Sequence, residues 1–221
     1  MEYFAHSEND QHEKHYLHKH LCQTAHLARS FCCYESYAQI FTIASLFHDL
    51  GKYQPAFQKY LINGGERGSV PHASWGAGYA RIQKLNDVSI AVDGHHKGLP
   101  DIAVWKNSTA PYVNGDEAGF DDVVNTFLAD LKIKEGDLKP TVKMKFGEFS
   151  QHELFTRYLF SALTDADWLS TEEHFDKTKA ESRGGFSLPV DEMICKLEHE
   201  LSGKSKDGSI NKLRNTARKE A

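Results

Sequence analysis

Apolar residues recur at intervals of three and four along most of the chain, which predicts a mainly helical fold. Between Glu35 and Leu50 they are so frequent that the helix is expected to be buried on most sides. Between Gln151 and Leu169 the same spacing predicts a second well-defined helix. Weaker helical patterns cover 16–33, 55–61, 72–85, 120–132 and 188–201, and 88–95 fits a short helix or strand. The pattern therefore indicates an all-α protein.

Polar stretches separate these helical patterns. Residues 1–15 are expected to form an irregular arm, 63–68 a flexible loop, and 134–145 a polar connector. Lys97–Gly119 contains two prolines, three glycines and few apolar residues, and it is predicted to be the longest loop. Residues 203–221 are basic and poor in apolar side chains, which predicts a linker or tail after a domain that spans 1–202.

Length and charge narrow the class of protein. The 221 residues are 40% hydrophobic and 26% charged, which favours one folded domain. No apolar run reaches the roughly 18 residues of a membrane span, and the N-terminus lacks a signal-peptide profile, so a cytoplasmic location is expected. The net charge of −5 argues against nucleic-acid binding by a broad basic surface. It leaves a nuclease open, because bound divalent cations reverse the local charge of an acidic site.

The cysteines give no indication of a metal site, whereas the number of histidines raises the question of one. None of the four cysteines forms a Cys-x-x-Cys pair, so buried reduced thiols are expected rather than a zinc ribbon. The chain contains thirteen histidines, and histidine is a common metal ligand. The histidines among polar neighbours are expected to be solvated; they are His12, His15, His18, His152, His174 and His199.

His48 and Asp49 form the sharpest local feature, because they stand near the end of a helix that is predicted to be buried. An unpaired buried carboxylate is costly, and a metal ion accepts a lone pair from both side chains. Asp49 has two oxygens and is able to bridge two ions. The alternative is structural, with Asp49 capping the next turn and His48 in an ordinary hydrogen bond.

Further candidate ligands lie elsewhere in the sequence. His95 and His96 follow Gly94, and at a turn both could face one site; otherwise they are exposed loop histidines. Asp165 is predicted to lie on the core-facing stripe of its helix, with Asp167 turned towards solvent. Taken alone, His72 and His20 are weaker candidates.

Five strings together resemble a known family, the HD nuclease domain of the CRISPR-associated type I interference nuclease-helicase. The resemblance covers roughly residues 4–202 and is carried by His20-Leu21-x-x-Thr24-Ala25, His48-Asp49-x-Gly51-Lys52, His72-Ala73-Ser74-x-Gly76-Ala77, Gly94-His95-His96-x-Gly98-Leu99-Pro100 and Ser161-x-Leu163-x-Asp165-Ala166-Asp167. His48-Asp49 alone would indicate only the HD superfamily, whose members are metal-dependent phosphohydrolases.

The resemblance implies a helical HD fold that holds one or two divalent transition-type ions, namely manganese, nickel, cobalt or iron rather than magnesium. His20, His48, Asp49 and Asp165 would hold the first ion; Asp49, His72, His95 and His96 would hold the second. Lys52 would face the scissile phosphate, unless it is a surface lysine. The implied substrate is single-stranded DNA, and the implied partners are a helicase, fused or separate, and an RNA-guided surveillance complex.

Two rival functions remain open from the sequence. An HD phosphohydrolase acting on a nucleotide would share His48, Asp49 and Asp165, and a non-catalytic HD module would bind nucleic acid or protein without turnover. For a nuclease, Trp105 in the long segment after the histidine pair is a candidate for stacking on bases, or else an incidental residue of a mobile lid.

Overall fold

The structure is a computed structural model that describes residues 2–66, 68–142, 146–183, 188–204 and 207–220. The chain divides into two compact units, Met1–Glu181 and Ser182–Ala221. Parts of four predicted segments lie outside the described residues, namely residue 1 of the arm, 67 of the loop, 143–145 of the connector and 205, 206 and 221 of the tail. The predicted boundary at residue 202 stays a prediction.

Most described residues of the first unit are helical, which confirms the all-α class. The elements of this unit are β1 Phe4–His6, β2 His15–Tyr16, α1 Leu17–Phe31, α2 Glu35–Phe47, α3 Pro55–Asn63, α4 Ala73–Ile82, α5 Asn86–Gly94, α6 Ile102–Asn114, α7 Phe120–Leu131, α8 Phe149–Phe175 and α9 Lys177–Ser182. Short 3-10 turns cover Leu50–Tyr53 and Glu135–Leu138.

Helix α2 is the centre of the core, as its composition predicts. It packs against α1, α5 and α8, and Phe41, Ala44 and Phe47 are completely buried. Burying a large apolar side chain contributes about 1.5–3 kcal/mol, so these contacts fix the position of the C-terminal end of α2. Residues just beyond that end therefore lie inside the molecule.

The N-terminal arm is not irregular as predicted, because β1 pairs with β2 in an antiparallel hairpin. The Gln58 side chain bonds both the backbone N–H and the carbonyl of Phe4, at 3.0 Å each. Lys52 Nζ donates to the carbonyl oxygen of Ala5 at 3.0 Å. These contacts fasten the hairpin to the segment that follows α2.

The prediction of a long loop at 97–119 is wrong, since α6 occupies Ile102–Asn114. Its buried residues are Trp105, Thr109 and Tyr112, and a polar threonine among them weakens the apolar periodicity. The Trp105 indole N–H donates to Ser89 Oγ at 2.8 Å inside the protein, so Trp105 is not available to stack on a base. Trp75 is buried in the core, whereas Trp168 is 76% exposed.

The expectation of buried cysteines is also wrong. Cys22, Cys33 and Cys195 are exposed, Cys32 is half-buried, and all four thiols are free. Exposed thiols contribute nothing to the core, which is built from aliphatic and aromatic side chains.

The second unit contains α10 Val190–Ser202 and α11 Ser209–Glu220. Helix α10 confirms the helix that was predicted at 188–201. Helix α11 falls in the segment that was expected to be a tail or linker. Across the described ranges of the chain, no helix combines the length and the apolar character that crossing a membrane requires.

Candidate metal centre

Five helices and one turn bring histidine and aspartate side chains together. His48 caps the C-terminal end of α2, and Asp49 opens the following 3-10 turn. His95 caps the C-terminal end of α5, and His72 precedes α4. His20 and Asp167 lie within α1 and α8. Side chains at helix ends change direction sharply, which allows residues that are adjacent in sequence to face one site.

The first ligand group consists of His20, His48, Asp49 and Asp167. His20 Nε2 lies 3.3 Å from Asp49 Oδ2 and 3.2 Å from Asp167 Oδ1. His48 Nε2 lies 3.3 Å and 3.5 Å from the same two oxygens. Two imidazole nitrogens and two carboxylate oxygens thus surround a common point in the interior.

The second ligand group consists of Asp49, His72, His95 and His96. Asp49 Oδ1 lies 3.3 Å from His72 Nε2 and 3.8 Å from His95 Nε2. His72 Nε2 and His96 Nε2 are 2.9 Å apart. Asp49 therefore belongs to both groups, with Oδ2 facing the first and Oδ1 facing the second.

The polar atoms of these groups fit a divalent cation better than they fit one another. Among the described residues, both carboxylate oxygens of Asp49 and Nε2 of His95 are buried without a hydrogen-bond partner. Such atoms are costly to bury, and a cation satisfies them together. Mixed imidazole and carboxylate ligands suit manganese, iron, cobalt or nickel, whereas magnesium prefers oxygen ligands throughout.

Two of the histidines are held in the protonation pattern that metal binding needs. His48 Nδ1 lies 2.6 Å from the carbonyl oxygen of Ser45, and His95 Nδ1 lies 2.6 Å from that of Val92. A carbonyl only accepts, so each Nδ1 carries a proton and Nε2 is the ring nitrogen that faces the site. At both helix ends the imidazole donates to the carbonyl oxygen three residues earlier in the sequence.

Electrostatics differ between the two groups. Burial lowers the pKa of His95 well below its usual value and that of His72 to about 3, so both are neutral at pH 7. Burial also opposes protonation of His48, but the carboxylates of Asp49 and Asp167 outweigh it and raise the pKa of His48 to about 10. Burial alone would raise the pKa of Asp49, yet His48 and Lys52 hold it well below its usual range.

Cation binding is consequently expected to strengthen as pH rises. With a pKa of about 10 in the metal-free protein, His48 must release a proton before Nε2 binds a cation, so higher pH favours binding. We expect the apparent affinity of the first group to rise roughly tenfold per pH unit between about pH 6 and about pH 8.5. Calorimetric titration with Mn²⁺ in buffers of different ionisation enthalpy measures both affinity and proton release. A pH-independent affinity without proton release would contradict this prediction.

Lys52 is not a surface residue. It is 4% exposed, and its Nζ lies 2.7 Å from Asp49 Oδ2 without the alignment of a hydrogen bond. It also donates to the Ala5 carbonyl. Lys52 therefore balances the charge of Asp49 in the structure, and its contact with a scissile phosphate stays a prediction.

The prediction of Asp165 as a ligand is wrong, because Asp165 is exposed and Asp167 occupies its place. Asp165 shares its stripe of α8 with Tyr158 and Ser161, and Ser161 is exposed. The buried stripe of α8 instead contains Leu159, Ala162, Leu163, Ala166 and Ser170. Asp167 is four residues after Leu163 and three before Ser170, so it points to the same side. The other six predicted ligands lie in the two groups; whether they bind metal stays a prediction.

A third histidine group adjoins the first and was not foreseen. His6 and His15 come together across the hairpin, with their Nδ1 atoms 2.9 Å apart, and both rings contact that of His20. His15 is buried rather than solvated, and burial lowers its pKa to about 3. The two strands are three and two residues long, too short for an alternating pattern that would have predicted their pairing.

Gly51 permits the close approach that places His72. A Cβ atom at Gly51 would lie 2.3 Å from the carbonyl oxygen and 2.7 Å from the Cα of His72. These are backbone atoms, so no side-chain rotation would relieve the clash. Glycine after His48-Asp49-Leu50 is thus required for the second group to form.

Gly51→Ala is expected to displace His72 and to weaken cation binding by the second group. Overpacking of this kind costs about 1–3 kcal/mol of unfolding free energy. Denaturant unfolding and Mn²⁺ titration measure the two effects. Gly136→Ala is the matched control, because nothing lies within 4 Å of a Cβ there. Unchanged stability and full binding by both groups in Gly51→Ala would contradict the prediction.

The chain matches the family model of the HD domain over residues 17–114. The matched segment contains His20, His48, Asp49, His72, His95 and His96, which are all the members of the two groups except Asp167. No curated protein is similar enough to the chain to give a match.

Proposed function

Because the chain carries an HD domain, with the buried histidine–aspartate centre of a metal-dependent phosphohydrolase, we propose that it is a nuclease that hydrolyses phosphodiester bonds of single-stranded DNA. The observation that carries the proposal is Asp49, whose two oxygens face two separate histidine groups. A carboxylate in this position is suited to hold two cations side by side, the arrangement used for phosphodiester hydrolysis.

Each group has a separate part in holding the cations. His20, His48 and Asp167 would hold the first with Asp49, and His72, His95 and His96 would hold the second. When bound, paired divalent cations supply Lewis-acid stabilisation of the phosphate and lower the pKa of a bound water. Lys52 keeps Asp49 ionised, so that both of its oxygens remain available as ligands.

The burial of the two groups indicates the side from which the substrate approaches. The side chains of His20, His48 and Asp49 are at most 1% exposed, and that of Asp167 is 13% exposed. His96 in the second group is exposed, and the side chain of His72 is 15% exposed. The scissile phosphate is therefore expected to arrive over His72 and His96, while the first cation lies deeper.

Support for DNA as the substrate comes from the sequence strings that resemble the CRISPR-associated nuclease domain. Trp168 offers an exposed ring directly after Asp167, and stacking on an aromatic ring contributes about 1–3 kcal/mol per base. This side chain replaces Trp105 as the candidate base platform. The same resemblance makes a helicase and an RNA-guided surveillance complex the proposed partners.

A nuclease assay across a panel of metals tests the proposal. Circular single-stranded DNA is incubated with the protein and Mn²⁺, Ni²⁺, Co²⁺, Fe²⁺ or Mg²⁺, and a chelator serves as the control. We expect cutting with the transition-type ions, weaker cutting with Mg²⁺ and none with chelator. Cutting of the circle also separates endonuclease action from degradation that needs an end.

The same assay includes nucleoside triphosphates and cyclic dinucleotides as competing substrates. Turnover of these compounds without cutting of DNA would contradict the nuclease and favour an HD phosphohydrolase that acts on nucleotides. Absence of both reactions, with no binding of Mn²⁺ or Ni²⁺, would favour a non-catalytic module.

A further inference from the structure

A chain of hydrogen bonds runs from the surface of α8 to His20 and ends at the first ligand group. We propose that Ser170 and Gln23 are positioning residues, which hold His20 in the tautomer that leaves Nε2 free to bind the first cation. This inference rests on the proposed function, because the cation is the one that the nuclease would use.

The direction of each bond in this chain follows from its neighbour. Gln23 Nε2 contacts Glu173 Oε2, and a carboxylate only accepts, so the amide nitrogen of Gln23 faces Glu173. The amide oxygen then faces inward and accepts from the Ser170 hydroxyl at 3.1 Å. The contact with the exposed Glu173 thus sets the orientation of the Gln23 amide.

The hydrogen bond between Ser170 and His20 decides the tautomer of His20. His20 Nδ1 lies 2.9 Å from Ser170 Oγ, and both side chains are completely buried. The single hydroxyl proton of Ser170 is used in the bond to Gln23, so Oγ accepts the proton that His20 carries on Nδ1. Nε2 is left with its lone pair, 3.2 Å from Asp167 Oδ1 and 3.3 Å from Asp49 Oδ2.

His20 differs from the two ligand histidines at helix ends. Backbone carbonyls fix the rings of His48 and His95, and no substitution removes a backbone carbonyl. His20 lies in the first turn of α1, where the preceding carbonyls accept helical N–H groups, so it depends on a side chain from α8. Its partner Ser170 follows Asp167 by three residues, so one turn of α8 supplies both a ligand and the group that orients another ligand.

Ser170→Ala removes the acceptor for Nδ1–H and is expected to weaken Mn²⁺ binding by the first group by about 10–100-fold, the usual effect of losing a partner of a metal-bound histidine. Gln23→Leu acts in the same direction, because the freed hydroxyl is able to donate to Nδ1 and move the proton to Nε2. The double variant Gln23→Glu/Glu173→Gln keeps the order of donors and acceptors and should bind nearly as well as wild type.

Ser89→Ala is the matched control. Ser89 is also completely buried and hydrogen-bonded, to Ala77 and Trp105, so its loss reports the general cost of removing a buried hydroxyl. Binding is measured on the full chain by Mn²⁺ titration and by electron paramagnetic resonance, which distinguishes two coupled ions from one. Ser170→Ala should lose the coupled signal at cation concentrations that saturate Ser89→Ala. Equal affinity and equal coupling in these two variants would overturn the inference.

Nitrogen-15 resonance of the His20 ring in the metal-free protein gives a readout that does not depend on the cation. We expect the proton on Nδ1 in wild type and a shift towards Nε2–H in Gln23→Leu, with His20→Gln used to assign the signals. A proton on Nε2 in wild type would overturn the inference even if the nuclease is correct. Failure of the wild type to bind any cation would instead contradict the proposed function, and the tautomer would still be decided.

Discussion

Replacement of Asp49 by alanine is expected to abolish DNA cleavage and to remove both cations. Asp49 is the one residue common to the two ligand groups. Removing a group that only hydrogen-bonds to a ligand already weakens metal binding about 10–100-fold. Removing a ligand that both cations share should weaken binding by more. Cleavage of circular single-stranded DNA and Mn²⁺ titration measure the two losses, and retained cleavage would refute the role of Asp49.

The stability of this variant needs its own measurement. Asp49 faces His48 and Lys52 in the interior, and removing one member of a buried ion pair costs about 3–5 kcal/mol. Circular dichroism at low temperature should still show helical content near wild type. Asp49→Asn keeps the shape of the side chain and serves as the second variant if the alanine variant does not fold; it should also fail to cleave.

Asp167→Asn is expected to remove the first cation and to leave the second. His20 and His48 each lie within 3.5 Å of Asp167 Oδ1, whereas the second group does not include this residue. The affinity of the first group for Mn²⁺ should fall more than about 100-fold, which exceeds the effect of losing a residue that only hydrogen-bonds to a ligand. Mn²⁺ titration should then show one strong position instead of two, and DNA cleavage should fall to background.

Asp165→Asn is the matched control, on the same helix and with the same change of charge. Asp165 is exposed, and surface charges contribute about 0–1 kcal/mol, so binding and cleavage should stay within about twofold of wild type. The reverse result, with Asp165→Asn inactive and Asp167→Asn active, would show that α8 turns a different face towards the first group.

The sequence predicts the helices well where apolar residues decide the packing. Helix α2 follows from its nearly continuous apolar composition, and its burial places His48 and Asp49 in the interior. Helix α6 was missed because Thr109 contributes to its buried face through hydrogen bonds rather than through apolar area. Periodicity of apolar residues carries no signal of such a contact.

Six of the seven predicted ligands lie in the two groups, and the seventh prediction differs by two positions from the residue found there. Asp165 and Asp167 both stand in an acidic string, and the choice depended on which stripe of α8 faces the core. Asp165 follows the exposed Ser161 by four positions, whereas Asp167 precedes the buried Ser170 by three. A buried serine is recognised only through its partners, and those of Ser170 lie on α1, about 150 positions away in the sequence.

The third histidine group shows a different limit of sequence analysis. His6 and His15 meet because two short strands pair, and neither strand is long enough to show an alternating pattern. Their neighbours are polar, so a solvated arm was the natural expectation. Hydrogen bonds to Gln58 and Lys52 hold the hairpin against the rest of the protein. These partners are some fifty positions away in the sequence.

Anomalous diffraction from crystals of the Mn²⁺-loaded protein tests most directly whether two cations share Asp49. We predict two peaks, one on each side of the Asp49 carboxylate, with His20, His48 and Asp167 around the first and His72, His95 and His96 around the second. A cation that binds elsewhere, or a carboxylate of Asp49 that holds no cation, would contradict the account.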